Sequence, residues 1–224
     1  MEMQTVMASM VHDVKNSLGL MTNQLDTVYN RLADLDPEAA QIVRRLQLEC
    51  GRINNDVVHM LGLYKLQSGM FTPSFDEVYV PDIIDDVGSR YRDILHSMGI
   101  ELIVNFDNKD CVWCLDSTLV EGLLTNVITN AIRYTKSSLQ FFISQTEDGW
   151  LHIRIVDDGN GFPDAMINIL NQPESVCFQS GATGLGLYFC QQIAQMHQHD
   201  GHNGYIELSN RDQPPGAVFD LWLP

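Results

Sequence analysis

The strongest constraint on this chain lies in its first third, where two long helical periodicities follow one another with a single break. Met3, Met7, Met10, Val14, Leu18, Met21, Leu25, Val28 and Leu32 recur at the spacing that keeps side chains on one arc of a helix. The break is "LDPEA", which places Pro37 where proline suits the first turn of a second helix. Ile42, Leu46, Ile53, Val57, Met60, Leu61 and Tyr64 then form a second stripe. Two such helices joined by so short a loop fold back as an antiparallel hairpin, and a hairpin by itself cannot enclose a core. Two hairpins related by a twofold axis can. The expectation is a homodimer whose paired hairpins, residues 1–68 of each chain, make a four-helix bundle.

One polar group stands out on the first helix. In "MASMVHDVKNSLGLM" His12 points away from the apolar stripe, and Asn16 lies one turn further along the same face. Thr5, Ala8, Ser9, Gly19 and Asn23 keep that face polar or small. His12 is displayed, as a reactive imidazole must be and as a merely solvated one also is. Asp13 follows directly, so a carboxylate is within reach of the ring. Histidine's ordinary pKa of about 6.5 leaves an imidazole largely neutral near pH 7, with one nitrogen free to attack. The carboxylate would accept from the other nitrogen and fix the tautomer.

Charge narrows the partners. A formal net charge of −16 argues against nucleic acid or an anionic membrane, either of which needs a basic face. Phosphate groups would have to be held locally, by helix N-termini, glycine-rich turns or a divalent cation. No apolar run reaches the roughly 20 residues of a membrane span, and no signal-like segment opens the chain. Five scattered cysteines suit reduced thiols, and the expected location is the cytoplasm. "CVWC" at 111–114 reads as ordinary packing, since strand residues three apart face opposite sides. "HQHDGH" at 197–202 reads as a solvated polar loop, with a metal site as the alternative.

"SGMFTPSFDEVYV", with Gly69, Pro73 and then Pro81, reads as a linker over 69–80 into a second domain, 81–224. There, helical patterns interleave with alternating strand-like runs that look antiparallel, which predicts an α/β sandwich of one helical layer on one sheet. Three of its segments are chemically unusual. In "TNVITNAIRYT", Asn126 and Asn130 share a helix face, and amide oxygens can ligate Mg²⁺; two capping or solvated asparagines would look the same. In "IVDDGNGF", a strand ends in Asp157 and Asp158 and turns through Gly159 and Gly161. "GATGLGLYF" sets Gly181, Gly184 and Gly186 before a helix, where backbone N–H groups can approach a polyphosphate.

In this order the segments are more specific than any one alone, and together the chain resembles the catalytic core of a two-component sensor histidine kinase. "VHDVKNSL" resembles the H box, "TNVITNAIRYT" the N box, "VDDGNGF" the G1 box and "GATGLGL" the G2 box. "LYKLQSG" resembles the end of the second helix of the hairpin, and "GAVFDLWLP" the closing strand. The resemblance implies a dimerisation and phosphotransfer hairpin followed by an ATP-binding domain of the type shared with Hsp90, gyrase and MutL. It implies ATP and Mg²⁺ as cofactors, with Asn130 on the metal and Asn126 assisting. Arg133 would reach toward phosphate, Tyr134 would lie against adenine, Asp157 would accept from the adenine amino group, and Gly159, Gly161, Gly184 and Gly186 would line the nucleotide.

The implied activity is autophosphorylation of His12 and transfer to an aspartate in the receiver domain of a response regulator. Asn16, three residues after Asp13, stands where relatives place the amide that assists dephosphorylation of the regulator. The input would come from a separate sensor protein or from a membrane-anchored sensor of which this is the soluble core. The alternatives are a phosphotransfer or scaffold protein with a degenerate ATP site, and a serine kinase of this ATPase class, which leaves His12 unexplained. Two departures stand out: Ser17 occupies the position of a common helix-kinking proline, and residues 162–180 are a short stretch for an ATP lid, without a Phe-rich motif beyond Phe178.

Overall fold

The computed structural model describes residues 3–67, 72–171 and 185–224. It divides into two compact units, Met1–Phe71 and Thr72–Pro224.

The first unit is the hairpin. Helix α1 spans Met3–Leu32 and α2 spans Pro37–Gln67. Asp36 caps α2 by accepting from the Ala39 N–H at 3.0 Å, and Pro37 follows at the first helical position. Ser17 lies within α1, where it keeps the backbone N–H that a proline would lack, and its hydroxyl donates to the Asp13 carbonyl at 2.9 Å. Val11 and Leu18 of α1 and Ala40, Val43, Gln47, Cys50 and Leu63 of α2 are buried. The predicted stripe therefore splits: Leu18 turns into the hairpin, while Met10, Val14, Met21 and Val28 remain exposed. The buried Gln47 amide is satisfied across the hairpin by the Asp26 carboxylate, at 2.5 Å.

The second unit is a sheet covered on one face by helices. Its five-stranded sheet runs in the order β2 (Glu101–Phe106), β4 (Ser138–Gln145), β5 (Leu151–Asp157), β9 (Pro215–Leu223), β8 (Tyr205–Asp212). All neighbours are antiparallel except β2 and β4, which are parallel. That exception corrects the all-antiparallel expectation: the connection from β2 to β4 passes through a whole helix, and such a crossover returns the chain in the same direction. Leu139, Phe141, Ile143, Leu151, Ile153, Ile155, Phe219 and Leu221 alternate toward the helical layer and are buried. That layer comprises α3 (Val80–Ser97), α4 (Ser117–Tyr134) and α6 (Leu185–Met196). The opposite face carries Arg154 and His152 against the buried Asp220.

Two readings change. Residues 76–79, read as linker, form β1 (Asp76–Tyr79), paired antiparallel with β3 (Val112–Leu115) in a small separate sheet; four residues are too few to show alternation without their partner. Cys111 is buried and Cys114, on β3, is exposed. His197, read as part of a solvated loop, is buried: its Nδ1 donates to the Ile193 carbonyl at 2.9 Å, and its Nε2 accepts from the Asp116 N–H at 3.2 Å. It joins the end of α6 to the cap of α4, whose first turn is closed by Asp116 Oδ1 accepting from Leu119 N–H. Beyond it the chain turns through β6 (Gln198–His199) and β7 (His202–Asn203). A further helix, α5 (Asp164–Asn171), lies in the short lid segment. Among the described residues no helix is long and apolar enough to cross a membrane, and no group of three or more metal-ligating side chains occurs.

Candidate nucleotide and phosphotransfer sites

On the hairpin, the His12 side chain is 72% exposed and Asp13 lies beside it, Oδ1 at 3.5 Å from Nδ1. The same Nδ1 is 3.2 Å from the Asn16 amide nitrogen. One ring nitrogen thus has two competing neighbours. With the proton on Nδ1, Asp13 is the neighbour able to accept it and the Nε2 lone pair is left open; with the proton on Nε2, Nδ1 accepts from Asn16. That Asp13 lies beside the ring was foreseen. The competition from Asn16 was not, although a pair four residues apart on a helix is always within reach.

In the second unit the candidate residues fall into two groups. The first joins α4 to the turn after β5. Asp157 is buried at the end of β5, and its Oδ1 accepts from the Gly159 N–H at 2.7 Å and the Ala217 N–H at 3.1 Å. Its other oxygen has no donor among the described residues and remains for a ligand. Gly159 is required by contact: a Cβ there would lie 2.4 Å from the Tyr134 carbonyl oxygen. Gly161 has φ +81°, and the loop after it is pinned by Asn210, which accepts from Phe162 N–H at 2.6 Å and donates to Phe162 O at 2.8 Å. Asp158 staples this turn to the end of α4, accepting from the backbone of Lys136 and Ser137 and from the Ser137 hydroxyl at 2.5 Å. Burial would raise the Asp158 carboxyl, but these hydrogen bonds outweigh it and hold the group well below the usual carboxylate range. Tyr134 is exposed, with the Arg133 guanidinium 5.6 Å from its ring centroid.

The second group joins α4 to α6. Asn130 is half-buried, and its Nδ2 donates to Asn126 Oδ1 at 3.4 Å. Asn126 is 4% exposed, and its own Nδ2 donates to Cys190 Sγ at 3.2 Å. Both ends of the Asn126 amide are therefore engaged, and its contribution is to hold Asn130. Gly186 serves the same contact, since a Cβ there would sit 2.6 Å from Asn126 Oδ1. Gly181 and Gly184, with Phe178, lie outside the described residues.

These groups fit a metal-bound adenine nucleotide. An unspent carboxylate oxygen can take an amino donor, and an asparagine turned so that its N–H₂ faces Asn126 presents its amide oxygen on the other side, which suits a hard cation. Residues 115–224 match the family described as "Histidine kinase-, DNA gyrase B-, and HSP90-like ATPase". A curated relative extends the likeness to the hairpin: the "Sensor protein SrrB" of Staphylococcus aureus is 22% identical over 223 residues, covering 97% of this chain and 37% of its own length. The chain carries a histidine-kinase catalytic core.

The histidine-kinase architecture holds across both units. Full-length ShkA in complex with AMPPNP superposes with a TM-score of 0.68 at 18% identity, covering all of this chain and 46% of its own. ThkA in complex with the response regulator protein TrrA gives 0.60 at 21% identity, covering 98% of this chain and 62% of its own. This kinase core spans little more than a third of the length of the curated relatives it matches. Asn126, Asn130, Asp157 and His12, singled out in the sequence, each lie in one of the groups described above. The partners of Asp158, Asn210 and Cys190 were not reached, since each lies far away in the chain.

Proposed function

We propose that this chain is an ATP-dependent protein-histidine kinase that phosphorylates His12 and passes the phosphoryl group to an aspartate of a response-regulator receiver domain. The observation that carries the reading is His12 itself: a displayed imidazole with a carboxylate on one ring nitrogen, in the same chain as an ATPase-family unit. ATP would be selected by the unspent oxygen of Asp157, and Asn130 would hold Mg²⁺, which neutralises charge along the triphosphate when bound. Arg133 and Tyr134 would meet phosphate and adenine. In the first step the His12 Nε2 lone pair forms a bond to the γ-phosphorus as the bond to the ADP oxygen breaks. Nδ1–H stays on the ring and donates to Asp13, which stabilises the positive charge that develops. In the second step the phosphoryl group leaves Nε2 for the regulator's carboxylate. The complex of ThkA with TrrA supports a partner of this kind. Asn16 would assist the reverse traffic, orienting water toward the regulator's aspartyl phosphate.

Dimerisation is part of the proposal. Met10, Val14, Met21 and Val28 on α1 and Ile42, Leu46, Ile53 and Met60 on α2 are between 38% and 61% exposed. On each helix the successive gaps are four, seven and seven residues. Two matched apolar seams at coiled-coil spacing are what a second hairpin would cover in a four-helix bundle.

The deciding experiment is incubation with γ-labelled ATP and Mg²⁺. Label should appear on the wild type, be lost in acid and survive alkali, and be absent from His12→Gln, which should still bind ATP. Equal labelling of that variant would remove His12 from the mechanism, and nucleotide binding without any labelling would favour the scaffold alternative.

A further inference from the structure

We propose that Cys190 is a positioning residue for the metal ligand, setting the amide orientation of Asn130 through Asn126. The inference rests on the nucleotide site proposed above. Cys190 sits on α6 and is wholly buried. Its Sγ accepts from Asn126 Nδ2 at 3.2 Å and donates toward the Leu123 carbonyl at 3.9 Å. Burial pushes the thiol up to about 12, so it keeps its proton and stays a donor to Leu123.

An asparagine amide has one accepting and one donating end, so fixing one end fixes the other. Because the thiol directs its S–H to Leu123, it presents lone pairs to Asn126. The N–H₂ end of Asn126 must then face the sulfur, and its oxygen must face Asn130. That oxygen takes the Asn130 N–H₂ at 3.4 Å, leaving Asn130 Oδ1 for the cation. If Asn126 turned over, its N–H₂ would face Asn130 and consume the oxygen that Mg²⁺ needs. Gly186 leaves room for this arrangement and nothing larger. Removing the sulfur's acceptor releases the first link of the chain, because Asn126 would be left buried with an unpaired N–H₂.

The test measures ATP binding by calorimetry on the full chain, first in EDTA and then over a Mg²⁺ titration. Cys190→Val should leave the EDTA dissociation constant unchanged. It should raise the Mg²⁺ half-saturation about tenfold, the loss of roughly one buried hydrogen bond. Cys190→Ser, which keeps both donor and acceptor, should restore the wild-type Mg²⁺ response. Electron paramagnetic resonance of Mn²⁺ in the ATP complex should show the same pattern of loss and rescue, independently of turnover. Cys190→Ala, without β-branching, gives the same readout should valine disturb α6. A wild-type Mg²⁺ response in both apolar variants would overturn the relay, and so would equal impairment of Cys190→Ser, which would mean packing alone. A wild type that binds no ATP would instead remove the kinase reading, and the relay with it.

Discussion

Replacing Asp157 with asparagine tests the nucleotide site at a single atom. The two backbone donors on Oδ1, from Gly159 at 2.7 Å and Ala217 at 3.1 Å, accept no substitute but an oxygen. The asparagine carbonyl must therefore take the place of Oδ1, which puts N–H₂ where the unspent carboxylate oxygen was. A donor then faces the adenine amino donor. The lost hydrogen bond to a charged acceptor contributes about 1.5–3 kcal/mol, so the ATP dissociation constant should rise about 10- to 150-fold. The fold should hardly notice, since both backbone bonds survive, and the urea midpoint should stay close to wild type. Discrimination against GTP should fall at the same time, because guanine carries an accepting oxygen where adenine carries its amino group. Calorimetric titration of both nucleotides against both proteins reads all of this. An unchanged ATP constant with an unchanged ATP to GTP ratio would refute the assignment of Asp157 to the base.

Met21→Glu or Ile53→Glu should raise the dimer dissociation constant at least about 100-fold by placing an unpaired charge in the bundle; a stable dimer in sedimentation would mean the seam lies elsewhere. Leu18→Glu, aimed at the hairpin's own interior, should instead cost helix content by circular dichroism. Asn16→Ala should not lower autophosphorylation, yet should slow loss of phosphate from the regulator about 10- to 100-fold when measured with ADP present. His197 should make the second unit sensitive to mild acid. Burial lowers its pKa against the opposing pull of the Ile193 carbonyl and Asp116, so below about pH 6.5 the unfolded state binds the extra proton first and stability declines as pH falls. Asp220 is distinct: burial would raise it, but His152 and Arg154 lower it, so its contribution is lost only below the ordinary aspartate range. Imidazole NMR that found His197 titrating at the ordinary histidine value would contradict this account.

Much of this was legible in the residues themselves, for reasons that differ from element to element. Asp36 and Pro37 marked the start of α2 because capping and ring geometry act within one turn. The long strands β4, β5, β8 and β9 announced themselves by their apolar runs, whereas β1 did not, having only four residues. His12, Asn130 and Asp157 could be singled out as candidates because the chemistry proposed for each is suggested by its immediate neighbours in the chain.

Tertiary structure settled the choices between partners that a linear pattern leaves equal. The first stripe could not say which apolar side chains face α2 and which face outward; the geometry of the hairpin sends Val11 and Leu18 inward and leaves Met21 and Val28 outside. "HQHDGH" looks solvated because it is polar, but His197 is buried because Asp116, 81 positions earlier, supplies an N–H for its ring. Asn126 and Asn130 form a matched pair in the sequence, yet a thiol 64 residues away engages one and leaves an oxygen free on the other. Periodicity and spacing report what a side chain shares with its neighbours along one helix or strand. Burial, and the direction of a hydrogen bond, depend on what a different element brings to the far side, and only the folded chain determines that.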